Sequence, residues 1–153
     1  MKGNLRKVIT RVLIVILLLI MVGFGIIWYL FSKKFENTAT VKTDAIIQSA
    51  SLLQEFRSDL PAANNKYSEK IISVNGRISE LEKADTTFNI KMTDATGAYL
   101  IFAMQAEKRT EAAKVNEGDS ISIKGSCSGG SFSSILGIVY IPFKRCIIEK
   151  IYK

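Results

Sequence analysis

The feature that most constrains this chain is a long apolar run close to its N-terminus. Residues 12–32 hold no charged side chain, and fifteen of the twenty residues from Val12 to Phe31 are Leu, Ile, Val or Phe. Twenty helical residues extend about 30 Å, which is the thickness of the hydrocarbon core of a bilayer. A helix is required there because lipid offers the backbone no hydrogen-bond partners. The run therefore predicts a transmembrane anchor over residues 12–32.

The charges beside this run predict its direction. Four cations precede the run and two follow it: Lys2, Arg6, Lys7 and Arg11, then Lys33 and Lys34. Cytoplasmic flanks carry the excess of Lys and Arg, so the N-terminus is expected in the cytoplasm. We accordingly predict a basic cytoplasmic tail over residues 1–11, a tether over 33–43 and an extracytoplasmic domain over 44–153, either periplasmic or at the cell surface.

A cleaved signal peptide is the main alternative to an anchor. The apolar region of such a peptide is normally about 7–15 residues long and ends at a site made of small residues. The run in this chain is longer, and the best candidate site, Asn37-Thr38-Ala39, has Asn where a small residue is expected. A retained anchor is therefore the better interpretation.

The high overall charge belongs mostly to the anchor and not to the domain. The chain has a formal net charge of +7 and an isoelectric point near 9.5. From Phe35 onward it holds 15 basic and 14 acidic residues, a net charge of +1. The domain thus lacks the basic excess that attracts phosphate backbones.

The hydrophobic pattern of the domain predicts one helix followed by strands. Apolar residues recur with helical spacing from Asp44 to Leu60, where Pro61 marks the end, and residues 62–69 read as a loop. The pattern then alternates, as it does in half-buried strands. We predict strands at residues 72–78, 88–93, 98–104 and 121–125, a short helix at 105–114, a mobile Gly/Ser segment at 128–134, and a last strand at 136–151 interrupted at Pro142.

This order of elements is that of the OB-fold. Three strands, a helix and two more strands close into a five-stranded barrel in that fold, which removes exposed sheet edges. Gly76, midway along the first strand, would suit a bulge that bends it. The fold class we predict is a transmembrane helix followed by a mainly-β domain, a five-stranded OB-like barrel preceded by an α-helix, with the short helix between strands 3 and 4.

Four segments in a fixed order carry a family resemblance. They are Asn65–Tyr67 before the first strand, Ile72–Ile78 within it, Glu117–Gly129 across the fourth, and Cys146–Ile148 in the last. Together they resemble the tRNA_anti-like family of bacterial OB-fold proteins, and with the preceding helix the likeness covers roughly residues 44–149. The resemblance implies an OB-like barrel, commonly behind a signal or anchor segment. It implies no particular activity.

Cys127 and Cys146 are the two cysteines of the chain. Outside the cytoplasm such a pair is readily oxidised, so we predict a disulfide between them. Two buried free thiols remain the alternative. A redox or metal-binding pair is disfavoured because no C-x-x-C motif is present.

The chain contains no histidine, which excludes the Ser-His-Asp and Cys-His modes of catalysis. The Gly-rich segment from Gly125 to Gly130 lacks the Lys-Ser/Thr of a phosphate-binding loop, so a hairpin loop is the better interpretation. We expect no enzyme activity, no cofactor and no metal site.

Ligands of OB-folds bind on the outer face of strands 2 and 3. By strand alternation that face carries Asn89, Lys91, Thr93 and Tyr99, which we predict as ligand-binding residues. Packing of the N-terminal helix over Tyr99 and its neighbour Ile101 is the alternative use of this face.

The expected function is a membrane-anchored, extracytoplasmic OB-fold binding or scaffolding module. Its expected partners are the lipid bilayer and either an envelope protein or a small ligand that the sequence does not identify. The alternative is a protein that binds single-stranded nucleic acid. It is disfavoured by the net charge of +1 and because Phe88 and Phe102 fall on the core side of their strands, away from any stacked base.

Overall fold

The computed structural model describes residues 2–32, 38, 40–84 and 87–152, and in the first helix it describes side chains from residue 13 to residue 28. The chain divides into two compact units, residues 1–36 and 37–153. Residues 33–37 and 39 lie outside the described residues; they include most of the predicted tether and two of the three residues of the candidate cleavage site.

The first unit contains one helix, α1, over Lys2–Ser32. The apolar side chains from Leu13 to Trp28 that the structure describes are largely exposed. Among the described residues we find no helix that meets the length and apolarity required of a membrane span.

The second unit is mainly β, with a helical pair near its start and a short helical segment later. Its helices are α2 (Ser49–Ser58), α3 (Leu60–Tyr67), a 3₁₀ turn (Ala106–Lys108) and α4 (Arg109–Ala112). Its strands are β1 (Ala45–Gln48), β2 (Ile71–Arg77), β3 (Glu80–Lys83), β4 (Phe88–Thr93), β5 (Tyr99–Met104), β6 (Ser120–Cys127), β7 (Ser131–Ser133) and β8 (Ile138–Tyr152).

These strands form one sheet in the order β1-β2-β6-β8-β5-β4-β3, with β7 paired to β8. Strand pairing does not close the sheet. However, β2, which lies next to the edge strand β1, and β3, which is the opposite edge strand, are successive in the chain. Between them the Ile78 N–H donates to Asp119 O and the Ser79 N–H donates to Lys91 O, each at 2.9 Å. The chain therefore passes from the β6 side of the sheet to the β4 side over two residues.

The sheet wraps around a single hydrophobic core. Alternate residues of every long strand are buried in it, and α2 and α3 contribute Leu52, Leu53, Phe56, Ala63 and Tyr67. Burial of apolar area is the main favourable contribution to folding, at about 25 cal/mol per Å². The core thus accounts for the period-2 pattern read from the sequence.

The count of five strands was wrong, since eight strands occur among the described residues. The first predicted strand, residues 72–78, is β2, and β3 is an additional strand that the sequence did not predict, formed where the chain changes partner at Ile78 and Ser79. The start of the predicted N-terminal helix is instead β1, which pairs in parallel with β2. The Gly/Ser segment contributes β7.

That Gly/Ser segment, predicted as mobile, is held against α3. Asn64 Nδ2 donates to Gly130 O at 3.0 Å, and the Gly130 N–H donates to Asn64 Oδ1 at 2.7 Å. A Cβ at Gly130 would lie 2.5 Å from Phe56 Cδ1. Glycine is therefore needed at this position because the loop lies directly against the core.

Pro61 begins a helix and does not end one. It occupies the first turn of α3, where its missing N–H costs nothing, and the Asp59 side chain caps that turn by accepting from the Ala62 N–H at 2.9 Å. The loop predicted over residues 62–69 is consequently helical as far as Tyr67.

The predicted break of the last strand at Pro142 was also wrong. Strand β8 runs through Pro142, which lies opposite Ile101 in the parallel pairing with β5. The irregularity comes later, at Arg145, whose φ is +53° and where the pairing with β6 shifts.

Gly76 serves close packing and not a bulge. The β2–β6 register is continuous through Gly76, opposite Ile121. A Cβ there would lie 2.6 Å from Met92 Sδ and 2.8 Å from Ser49 Cβ. Only a residue without a side chain lets α2 and β4 approach the strand this closely.

Candidate binding face

The predicted face exists on one side of β4 and β5. Phe88, Ile90 and Met92 of β4 are buried in the core, so the alternate residues point away from it. Those alternate residues are Asn89, Lys91 and Thr93, and Tyr99 lies directly opposite Thr93 in the antiparallel pairing. The structure therefore brings all four predicted side chains to one surface.

Lys91 is fixed at the centre of this face by two glutamates of β3. Glu80 lies directly opposite Lys91 in the strand pairing, with its Oε2 3.3 Å from Lys91 Nζ. Glu82 Oε1 forms a closer ion pair with the same nitrogen. The Lys91 side chain is only 18% exposed, so its ammonium group is held in one place.

The pKa values of Glu82 and Lys91 both reflect their ion pair. The hydrogen bond from Lys91, joined by one from Asn89, holds the pKa of Glu82 below its ordinary value of 4.5. The hydrogen bond to Glu82 raises the pKa of Lys91 above 10.5, against the opposing effect of burial. The pair is therefore charged throughout the neutral range.

Aromatic rings continue the face beyond Lys91. The Lys91 ammonium lies 5.5 Å from the centre of the Tyr99 ring, within cation–π range. Tyr99 stacks in turn on Tyr140 of β8, with ring centres 6.0 Å apart and planes inclined by 23°. Three strands thus present a continuous row of one ammonium and two rings.

Asn89 and Thr93 lie at the two ends of β4. Asn89 Nδ2 donates to Glu82 Oε2 at 3.2 Å, so its amide already has a partner. The Thr93 N–H donates to Ser79 Oγ at 2.5 Å, while the Thr93 side chain is exposed. Thr93 is therefore the predicted residue most available to a ligand.

Tyr140 is an aromatic member of this face that sequence reasoning missed, as it also missed Glu80 and Glu82. Residues Tyr99 and Tyr140 are paired in the parallel register of β5 and β8. The expected break at Pro142 concealed this pairing. The signal that could have found it is the alternation of Tyr140 and Pro142 with the buried residues Ile141 and Phe143.

The charge of the face determines which ligands it suits. On its outward positions, β3 and β4 place two carboxylates and one ammonium, β5 adds uncharged side chains, and β8 adds Tyr140, Pro142 and the exposed Lys144. The Lys91 ammonium is already compensated by the two carboxylates, so it offers little positive potential to a phosphate. The Tyr99 and Tyr140 rings, with the Glu80 and Glu82 carboxylates nearby, favour neutral or cationic ligands.

Cys127 and Cys146 are both free thiols buried in the core. The disulfide predicted between them is not present in this structure, which matches the alternative of two buried thiols. Burial raises the pKa of both thiols, that of Cys146 the more strongly. Neither thiol is therefore activated as a nucleophile at neutral pH.

In the part of the chain that the structure describes, two other kinds of site come into question, a metal site and a groove. No three acidic, Cys or His side chains gather there in a way that could hold a metal ion. The groove between α2 and α3, lined among others by Glu55, Asp59 and Lys66, is open to solvent. The β4–β5 face remains the candidate site.

A mainly-β domain whose strands wrap around one hydrophobic core, with helices beside the sheet, belongs to the OB-fold class. The chain belongs to the tRNA_anti-like family, whose sequence model matches residues 1–138. The family resemblance seen in the sequence is thereby confirmed. No curated protein matches the chain.

The chain is similar to several solved structures, and the one from Klebsiella pneumoniae supports the fold. A proposed nucleic acid-binding lipoprotein from Klebsiella pneumoniae superposes with a TM-score of 0.54 at 18% identity, covering 68% of this chain and 91% of its own. An asparaginyl-tRNA synthetase from Entamoeba histolytica gives 0.39 at 14% identity, covering 56% of this chain and 22% of its own. A proposed aspartyl-tRNA synthetase from Leishmania major gives 0.46 at 9% identity, covering 79% and 22%.

Proposed function

We propose that this chain is a non-catalytic OB-fold binding module that uses the β4–β5 face, made of Asn89, Lys91, Thr93, Tyr99 and Tyr140. The observation that carries the proposal is the fixed position of Lys91 between Glu80, Glu82 and the Tyr99 ring. A face whose side chains are already ordered loses little conformational entropy when a ligand binds.

We also propose that residues 12–32 hold the module in a membrane, with the N-terminus in the cytoplasm and residues 44–153 on the other side. The continuous helix of α1 and the exposure of its apolar side chains support this proposal, because exposed apolar surface of that extent is unfavourable in water. The flanking cations support the direction. The name of the Klebsiella pneumoniae protein, a lipoprotein, is consistent with an envelope location.

Single-stranded nucleic acid is the second candidate ligand. The name of the same Klebsiella pneumoniae protein and the stacked pair of Tyr99 and Tyr140 favour it, since bases stack on such rings. Glu80 and Glu82 oppose it, because they cancel the charge of Lys91 and repel phosphates. We therefore place a neutral or cationic partner, such as a peptide segment or small polar molecule, ahead of nucleic acid.

Site-specific photo-crosslinking in cells tests the binding face. A photoreactive amino acid at Thr93 lies on the face, and the same amino acid at Thr110 gives a matched control on another exposed threonine, in α4. We expect an adduct of defined mass from Thr93 that disappears when Tyr99→Ala is added, and no such adduct from Thr110. The same adducts from both positions, or none from Thr93, would contradict the proposal.

The nucleic-acid alternative has its own measurement. The full chain in nanodiscs is titrated with fluorescent single-stranded oligonucleotides at two salt concentrations. Binding that weakens steeply with salt and is strengthened by Glu80→Gln and Glu82→Gln would favour nucleic acid. Absence of binding leaves the neutral or cationic partner as the candidate.

A further inference from the structure

The hairpin formed by β7 and the start of β8 carries no charge. Nineteen residues separate Lys124 from Lys144, and none of them is charged. Within this stretch Phe132 pairs with Val139 and Ser133 with Ile138. A turn over residues 134–137 closes the hairpin, with the Gly137 N–H donating to Ser133 O at 2.8 Å.

The tip of this hairpin exposes large apolar side chains. Ile135 is 93% exposed, Leu136 62% and Phe132 58%. We call these three residues the apolar tip. Of the five large apolar side chains exposed in the described part of residues 37–153, three belong to it, and the other two are Ile46 and Tyr152. Such surface contributes nothing to the core and is costly in water, which indicates a contact with another apolar phase.

We propose that the apolar tip inserts into the interfacial layer of the lipid bilayer. The inference rests on the proposed membrane attachment, since α1 makes this second contact intramolecular and even weak insertion then suffices.

Lipid suits the tip better than a polar protein surface does. The sequence neighbours of the three apolar side chains are serines and a glycine, so no charged residue of the hairpin has to enter the interface. Arg57, which lines the same groove as Phe132 and Gly137, is ion-paired with Asp94. The hairpin also satisfies much of its own backbone: besides the strand pairs, the Leu136 N–H donates to Ser133 Oγ at 3.3 Å. Satisfied backbone groups are what a segment needs where water is scarce.

Depth-dependent fluorescence quenching tests the insertion on the full chain. Trp28→Phe removes the single tryptophan, and Ile135→Trp then places one at the tip. Ile46→Trp is the matched control, because Ile46 is an isoleucine 72% exposed on the sheet-edge strand β1. Both proteins are reconstituted in vesicles of phosphatidylcholine and phosphatidylglycerol, with and without bromine on the acyl chains. Both substituted positions are exposed, so the fold is retained.

We expect Ile135→Trp to emit at shorter wavelength and to lose roughly half its fluorescence to brominated lipid, since interfacial segments lie about 5–10 Å below the headgroups. Ile46→Trp should do neither. Equal behaviour of the two tryptophans overturns the inference. A shift to shorter wavelength at position 135 without bromine quenching also overturns it, because the tip is then covered by protein, such as a second copy of the chain. Flotation of the same vesicles reports attachment separately: protein that floats with an unquenched tip refutes the insertion and leaves the anchor standing.

Discussion

The rings of Tyr99 and Tyr140 stack across the parallel pairing of β5 and β8, with their centres 6.0 Å apart. These strands are far apart in sequence, so the contact exists only when the last strand has joined the sheet. The stack therefore couples the β4–β5 face to completion of the fold.

A double-mutant cycle measures that coupling. Tyr99→Ala and Tyr140→Ala should each lower the free energy of unfolding, and the double variant should lose less than the sum of the two. The expected interaction free energy is about 0.5–1.5 kcal/mol, the range for aromatic pairs beyond their buried area. Urea unfolding followed by circular dichroism gives the four values. If the losses in the free energy of unfolding of the two single variants add up to that of the double variant, the contact between the rings does not contribute to stability.

Gly76→Ala should destabilise the domain. The added Cβ would overlap Ser49, and it would lie 2.6 Å from Met92 Sδ. Overpacking of this kind costs typically 1–3 kcal/mol. Ser49→Ala added to Gly76→Ala removes one of the overlapping atoms and should recover part of the loss, whereas Ser49→Ala alone should have a small effect. A Gly76→Ala protein as stable as the parent would refute the close packing of α2 on β2.

Asn64→Ala should free the Gly/Ser segment. Asn64 makes two hydrogen bonds to the backbone of Gly130, at 2.7 and 3.0 Å. Their loss should cost about 1–3 kcal/mol and accelerate hydrogen exchange at the Gly130 amide. The adjacent Asn65→Ala is the matched control, since Asn65 is exposed. Equal exchange rates in the two variants would mean that Asn64 does not hold the segment.

The Lys91 ion pairs predict a pH dependence at both extremes. The pKa of Glu82 is lowered in the folded state, so its contribution to stability is present above about 4.5, the ordinary value, and is lost as the pH falls through the folded pKa. The pKa of Lys91 is raised, so its contribution is present below 10.5 and is lost as the pH rises through the folded pKa.

Glu82→Gln should therefore flatten the acid side of the stability profile. We expect a smaller difference in the free energy of unfolding between pH 7 and pH 3 than in the parent. Glu80→Gln serves as the control and should change the profile less, because Glu80 is 3.3 Å from Lys91 and more exposed. Identical acid profiles for the parent and Glu82→Gln would contradict the ion pair seen here.

Much of the fold could be predicted from the sequence because its strands alternate clearly. In β4 the apolar residues alternate with polar ones, and this alternation predicted both the strand and its outward face. The apolar residues are Phe88, Ile90 and Met92, and the polar ones are Asn89, Lys91 and Thr93. What could not be predicted depends on tertiary partners. Pro61 is equally compatible with the end of one helix and the first turn of the next, and the Asp59 cap decides between them.

The passage of the chain from β2 to β3 was similarly hidden. Ile78 and Ser79 carry no local signal for a change of partner, which arises because their N–H groups find Asp119 and Lys91 on opposite sides. In the candidate site, alternation alone predicted that Asn89, Lys91, Thr93 and Tyr99 share one outward face. Glu80, Glu82 and Tyr140 were not predicted there, because their placement depends on register across β3 and β8.

Membrane topology tests the central claim of the account most directly. Cysteines are introduced singly at Asn4 and Thr110; the two native cysteines are buried. Any cell wall or outer membrane is removed, the membrane around the cytoplasm is left intact, and the cells are treated with a membrane-impermeant maleimide. We expect labelling of Thr110→Cys in these cells and labelling of Asn4→Cys only after lysis. Labelling in the reverse order, or a mature protein whose mass lacks the apolar run, would contradict the claim.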